Sequence, residues 1–86
     1  MSYKNKLIVG KTGIFAHCDM GEIEVEIKAY AGFGLFYVAK LKRVYFKNAR
    51  ILSSAMYAQK MVVEGKNVDV FVEPHTLIKY DDSKFN

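Results

Sequence analysis

The stretch EIEVEIKAY, Glu22 to Tyr30, alternates without a break: Ile23, Val25, Ile27 and Ala29 fall on one side, and Glu22, Glu24, Glu26 and Lys28 on the other. A period of two with one apolar and one charged face predicts a half-buried strand of an antiparallel sheet, because successive side chains leave a strand in opposite directions. Upstream, Leu7 to Val9 and Ile14 to Cys18 flank Gly10-Lys11-Thr12-Gly13, whose glycines suit a tight turn, so a hairpin is expected there. Asp19-Met20-Gly21 is the next expected turn. Downstream, Ala31-Gly32-Phe33-Gly34 interrupts the pattern before Leu35 to Leu41 and Val44 to Leu52 resume as β-branched and aromatic runs. The intervening Lys42-Arg43 contains no turn former, which leaves a tight turn and one long bent strand equally open.

Ser53 and Ser54 then offer a helix cap, followed by Ala55, Ala58 and Val62 on one side and Tyr57, Lys60 and Glu64 on the other, with Gly65 as the stop. Asn67 to Val72 alternates Val68, Val70 and Val72 inward, Pro74 ends that strand, and Thr76 to Tyr80 forms a last edge piece. The expected fold is β-rich: a mainly antiparallel small barrel or sheet of the α+β class with one short helix near 54–64. It forms a single domain over 1–86 with a tail frayed from about residue 81, close in size to OB-like and Sm-like folds.

The 86 residues are 51% hydrophobic and 26% charged, which excludes a disordered chain. A domain this small buries only about 60% of its unfolded surface. The single cysteine, Cys18, forms no internal disulfide, so self-association is the remaining source of buried area. The basic start is too weakly apolar for a signal peptide, and no segment reaches the roughly 20 apolar residues of a membrane span. With one unpaired thiol, a cytoplasmic location is expected and no membrane partner.

The net charge of +4 hides an uneven layout. Between Ile27 and Val63 stand Lys28, Lys40, Lys42, Arg43, Lys47, Arg50 and Lys60 with no acid, together with seven of the twelve aromatic residues. Interleaved cations and rings are the composition expected where a protein meets phosphates and bases. Lys42, Arg43, Lys47 and Arg50 supply donors for phosphate oxygens, Tyr30, Tyr37 and Tyr45 supply stacking faces, and Asn48 an amide for a base or ribose edge. These eight residues are the expected ligand-binding set.

Other constellations carry less. Gly10 to Gly13 lacks the spacing of a phosphate loop, and Gly32-Phe33-Gly34 lacks the third glycine and the helix of a dinucleotide fingerprint. His17-Cys18-Asp19 sets three possible ligands side by side, but consecutive strand residues point to opposite faces. A buried Cys18 beside an exposed His17, and no metal or cofactor, is expected. Glu22, Glu24 and Glu26 read as a solvated face, and no acid/base or nucleophile constellation supports an enzyme.

The order IKAYAG at Ile27 to Gly32, FKNARIL at Phe46 to Leu52, a short alanine-containing helix ending in Val63-Glu64-Gly65 and a last VDVFV at Val68 to Val72 resembles a family of small uncharacterised tailed-phage proteins, in which a strand ending in Asn-Ala-Arg leads into a helix. The tryptophan that tends to follow that arginine is absent here. The resemblance implies a phage product in the host cytosol, similar to anti-defence proteins that trap a nucleotide messenger in pockets between subunits. The expected function is therefore a non-enzymatic homo-oligomer that sequesters a small anionic, nucleotide-like signal at subunit interfaces. Two other readings stand beside it: an OB-like or Sm-like nucleic-acid-binding module, and a protein-docking inhibitor of a host factor.

Overall fold

The computed structural model describes residues 6–81. Thr12–His17 (β1), Gly21–Tyr30 (β2), Tyr37–Val44 (β3), Asp69–Val72 (β4) and Leu77–Tyr80 (β5) form one antiparallel sheet in the order β4-β3-β2-β1-β5, and Leu52–Val63 forms the helix α1 between β3 and β4. The class is α+β, and the sheet stays open rather than closing into a barrel. A short 3-10 turn, Pro74–Thr76, carries the chain from β4 to β5. No helix of the described residues is long and apolar enough to cross a membrane.

The alternation of β2 is realised in the core: Ile23, Val25 and Ile27 are fully buried, in one cluster with Phe15 of β1, Ala39 and Leu41 of β3, and Val70 and Val72 of β4. Ala55 and Ala58 bring α1 onto this layer, with Val62 packed beside them. Small residues let the helix axis approach the sheet closely. Gln59 adds a polar tie, its Oε1 accepting the Val44 N–H at 2.9 Å. Gln59→Ala leaves that N–H unmatched in a half-buried site, and a loss of about 1–2 kcal/mol in chemical denaturation is expected.

Several expectations need correction, each for a local reason. Ala29 does not share the face of Ile27, because Lys28 is an extra residue in the β2·β3 ladder and the bulge turns Ala29 outward opposite Val38. Lys42 and Arg43 make no turn: β3 runs through them, with Lys42 bulged between the pairs Val25↔Leu41 and Glu24↔Arg43. The strand expected over Val44 to Leu52 ends at Val44, since Phe46 (φ 62°) and Asn48 (φ 61°) adopt left-handed conformations that break extended pairing. Asn48-Ala49-Arg50 therefore lies in a loop, not at a strand end.

The Gly10 to Gly13 hairpin is also absent. Leu7 is buried but not in a strand, the chain turns at Val9-Gly10, and Gly10 and Lys11 bond straight onto Ile27 of β2. The helix starts at Leu52, so both serines lie inside it, and its N-cap residue Ile51 has no side-chain cap. A tertiary anchor takes the cap's place: the Asp19 carbonyl accepts the N–H groups of Arg50 (3.0 Å) and Ile51 (2.9 Å). Of the expected frayed tail, residues 82–86 lie outside the described residues, while Asp81 donates its N–H to the Thr12 carbonyl at 2.8 Å.

Candidate functional site

Three cations of the middle window, Lys40, Arg43 and Lys47, stand beside acids in the fold. Register sets Arg43 opposite Glu24, and Lys40 opposite Glu26 on one side and Asp69 on the other. Lys47 lies 3.7 Å from Glu22. The acidic row of β2 thus lies beside cations contributed by its neighbours, and a window acid-free in sequence is compensated in part in space. Arg43 is further committed: its guanidinium sits 5.0 Å from the Tyr45 ring centre. Burial first, then a hydrogen bond and the charge of Asp81, push the Glu24 carboxyl up, against the pull of Arg43 and Lys42.

The eight expected residues do not converge on one place. Tyr45 bonds through its N–H to Glu22 at the start of β2, whereas Tyr30 and Tyr37 pair at its far end, about 26 Å away at the strand rise. Tyr37 is 7% exposed and belongs to the core, its ring edge-on to Tyr30 at 5.5 Å, so it offers no face for a base. Tyr30 is exposed but its hydroxyl is tied to the Gly34 carbonyl at 2.7 Å. Asn48 and Arg50 are exposed on the loop that enters α1.

At the other end of α1 a cleft of about 200 Å³ is lined by Lys40, Lys42 and Lys66, with Leu41, Val62 and Gly65 between them. Two backbone irregularities build it. The bulge at Lys42 re-aims that side chain out of the ladder. The helix ends with Gly65 (φ 82°), whose N–H bonds Val62 while that of Lys66 bonds Met61, the two bonds of a Schellman closure that place Lys66 beside β3. Lys66 retains only a loose, exposed contact with Glu64 at 3.6 Å. Lys42 belongs to the expected ligand-binding set, whereas Lys40 is expected only as a window cation and Lys66 not at all, because the sequence does not fix which distant lysines a bulge and a helix end bring to one cleft.

Along the outer side of α1, Leu52, Met56 and Val63 are 56%, 57% and 74% exposed. At about 100° per residue these three fall within one narrow stripe, which starts beside Arg50 and Ile51 and ends near the lysine cleft. Ile51 and Phe46 are exposed as well. The helix is therefore apolar on the face it buries and on one it does not.

His17, Cys18 and Asp19 correct the sequence expectation in a different way. The thiol is exposed and the imidazole half-buried, and their possible ligand atoms lie within 4.8 Å of one another, since Cys18 and Asp19 sit in the turn after β1 and not on the strand. The imidazole is already committed, however. Its Nδ1 accepts the N–H groups of Asp19 (3.1 Å) and Met20 (3.3 Å). A cation on Nδ1 displaces both bonds, and one on Nε2 requires a proton on Nδ1 facing two donors. The residues do not fit a metal.

The chain matches no family model, no curated protein and no solved structure.

Proposed function

We propose that this protein is a non-enzymatic binding protein that acts as a homo-oligomer and holds a small anionic, nucleotide-like ligand where its subunits meet. The observation that carries the reading is the cleft of Lys40, Lys42 and Lys66 at the end of an unpartnered apolar stripe. Lys42 and Lys66 supply donors for a phosphate, with Lys40, set opposite Glu26 and Asp69, beside them, but about 200 Å³ is below the roughly 300 Å³ at which ligand pockets begin, so one copy does not enclose a nucleotide. A second copy seated on Leu52, Met56 and Val63 adds the missing wall, and a symmetric interface does so from surfaces each chain already has. Arg50 and Asn48, at the opposite end of the stripe about 18 Å along the helix, stand at the rim of the same interface.

Charge compensation on the sheet argues against a polyanion partner. A nucleic-acid surface needs a run of cations facing phosphates, and here Lys40 and Arg43 of β3 stand opposite Glu26 and Glu24 of β2, leaving the bulged Lys42 without a register partner. A small ligand uses one local site instead.

The test is calorimetric titration with pyrophosphate and with a cyclic dinucleotide. Replacing Lys42 and Lys66 together by alanine is expected to weaken binding at least tenfold, since charge-assisted hydrogen bonds contribute about 1.5–3 kcal/mol each. Unchanged affinity in the double lysine variant contradicts the placement of the site, and a steep dependence of single-stranded nucleic-acid binding on salt favours the nucleic-acid reading instead.

A further inference from the structure

The turn after β1 is held by a titratable group. The Nδ1 of His17 accepts the N–H groups two and three residues ahead, the place an Asn or Asp side chain takes in an Asx turn. That same turn presents the Asp19 carbonyl on which Arg50 and Ile51, the entrance to α1, are anchored. Gly21 closes the turn against the backbone of Lys47, Asn48 and Ala49. The imidazole, the turn, the loop 45–51 and the helix start are therefore one mechanical series, and the helix has no side-chain cap of its own to replace the anchor.

We propose that His17 is a pH-sensitive latch: protonation of Nδ1 releases the Asp19–Met20 turn and, through the Asp19 carbonyl, loosens the loop 45–51 and the start of α1. A protonated Nδ1 is a donor facing two donors, so the ring must turn away or the turn must open. The direction of titration agrees. Burial holds the imidazole below its ordinary value of 6.5, against the smaller opposing charge of Asp19. The unfolded chain thus takes up the proton first as pH falls, and stability present above 6.5 is lost as pH drops through 6.5 toward the folded-state value. The other titratable groups facing His17 are Cys18 on its own turn, and Glu73 and His75 from the β4–β5 connection, which line the same groove of about 260 Å³. His75 is exposed and lies 4.0 Å from Glu73, while the donors to the His17 Nδ1 are the Asp19 and Met20 N–H groups. The latch concerns the anchoring of α1 alone and stands independently of any ligand.

The test is an amide NMR titration of the full chain from pH 8 to pH 5 without ligand, with hydrogen exchange at both ends. The N–H signals of Asp19, Met20, Arg50 and Ile51 are expected to move together with one midpoint below 6.5, and exchange at Arg50 and Ile51 to accelerate roughly five- to thirtyfold beyond the intrinsic pH effect. His17→Asn keeps an acceptor at the same place without a proton to gain, so its four signals stay flat. His75→Ala leaves the midpoint unchanged. Stationary Arg50 and Ile51 signals while His17 titrates overturn the coupling, and a transition that survives His17→Asn or vanishes in His75→Ala assigns it to another group.

Discussion

Gly21→Ala is expected to destabilise the fold by about 3 kcal/mol or more, a large share of the ~5–15 kcal/mol that holds a small domain together. Two costs add. At φ 77° an L side chain pays the left-handed penalty of about 1–2 kcal/mol. A Cβ there also meets backbone atoms: the Lys47 carbonyl oxygen most closely, then the Ala49 nitrogen at 2.7 Å and the Asn48 carbonyl carbon at 2.8 Å. None of these is a flexible side-chain end, so the loop that carries Asn48 and Arg50 must move and the bonds of Arg50 and Ile51 to Asp19 must stretch. Gly32→Ala is the control. Its φ of 94° is equally unfavourable for alanine but its Cβ meets nothing within 4 Å, and only about 1–2 kcal/mol should be lost. Urea denaturation of the two variants measures the difference, and equal losses indicate that the loop does not press on the turn.

Replacing Leu52 and Met56 together by lysine is expected to raise the subunit dissociation constant by on the order of a hundredfold or more. Both side chains are exposed in the single chain, so the substitutions remove little from its core. In a two-fold interface each change occurs twice, and each apolar side chain transferred back to water forfeits about 1.5–3 kcal/mol before the cost of burying an ammonium group is counted. Circular dichroism of the variant should match the parent. A parent-like dissociation constant in a folded variant rules out the helix stripe as the contact.

Much of this arrangement is legible in the residues and some of it is not. The β2 alternation identifies Ile23, Val25 and Ile27 as core and implies an antiparallel sheet, because burial on one face alone enforces a period of two. Ala29 escapes that logic, since one inserted residue in a ladder reverses every side chain beyond it and a bulge leaves no mark in composition. The Val44 to Leu52 run has high strand propensity, yet the left-handed Phe46 and Asn48 and the close approach of the 47–49 backbone to Gly21 override it. Serines 53 and 54 form a good local cap signal that loses to a long-range anchor on Asp19. The clearest limit concerns charge. The acid-free window invites a basic surface, but acids of β2 and β4 stand beside Lys40, Arg43 and Lys47, and only the register of a folded sheet shows which carboxylate meets which cation.

Native mass spectrometry of the purified protein, followed across a concentration series with and without a cyclic dinucleotide, tests the central claim most directly, because it reports subunit count and retained ligand together. The expected result is masses that are multiples of 9.8 kDa, carrying added ligand that disappears with the assembly when Leu52 and Met56 become lysine. A single 9.8 kDa species at every concentration, binding the dinucleotide or not, contradicts it.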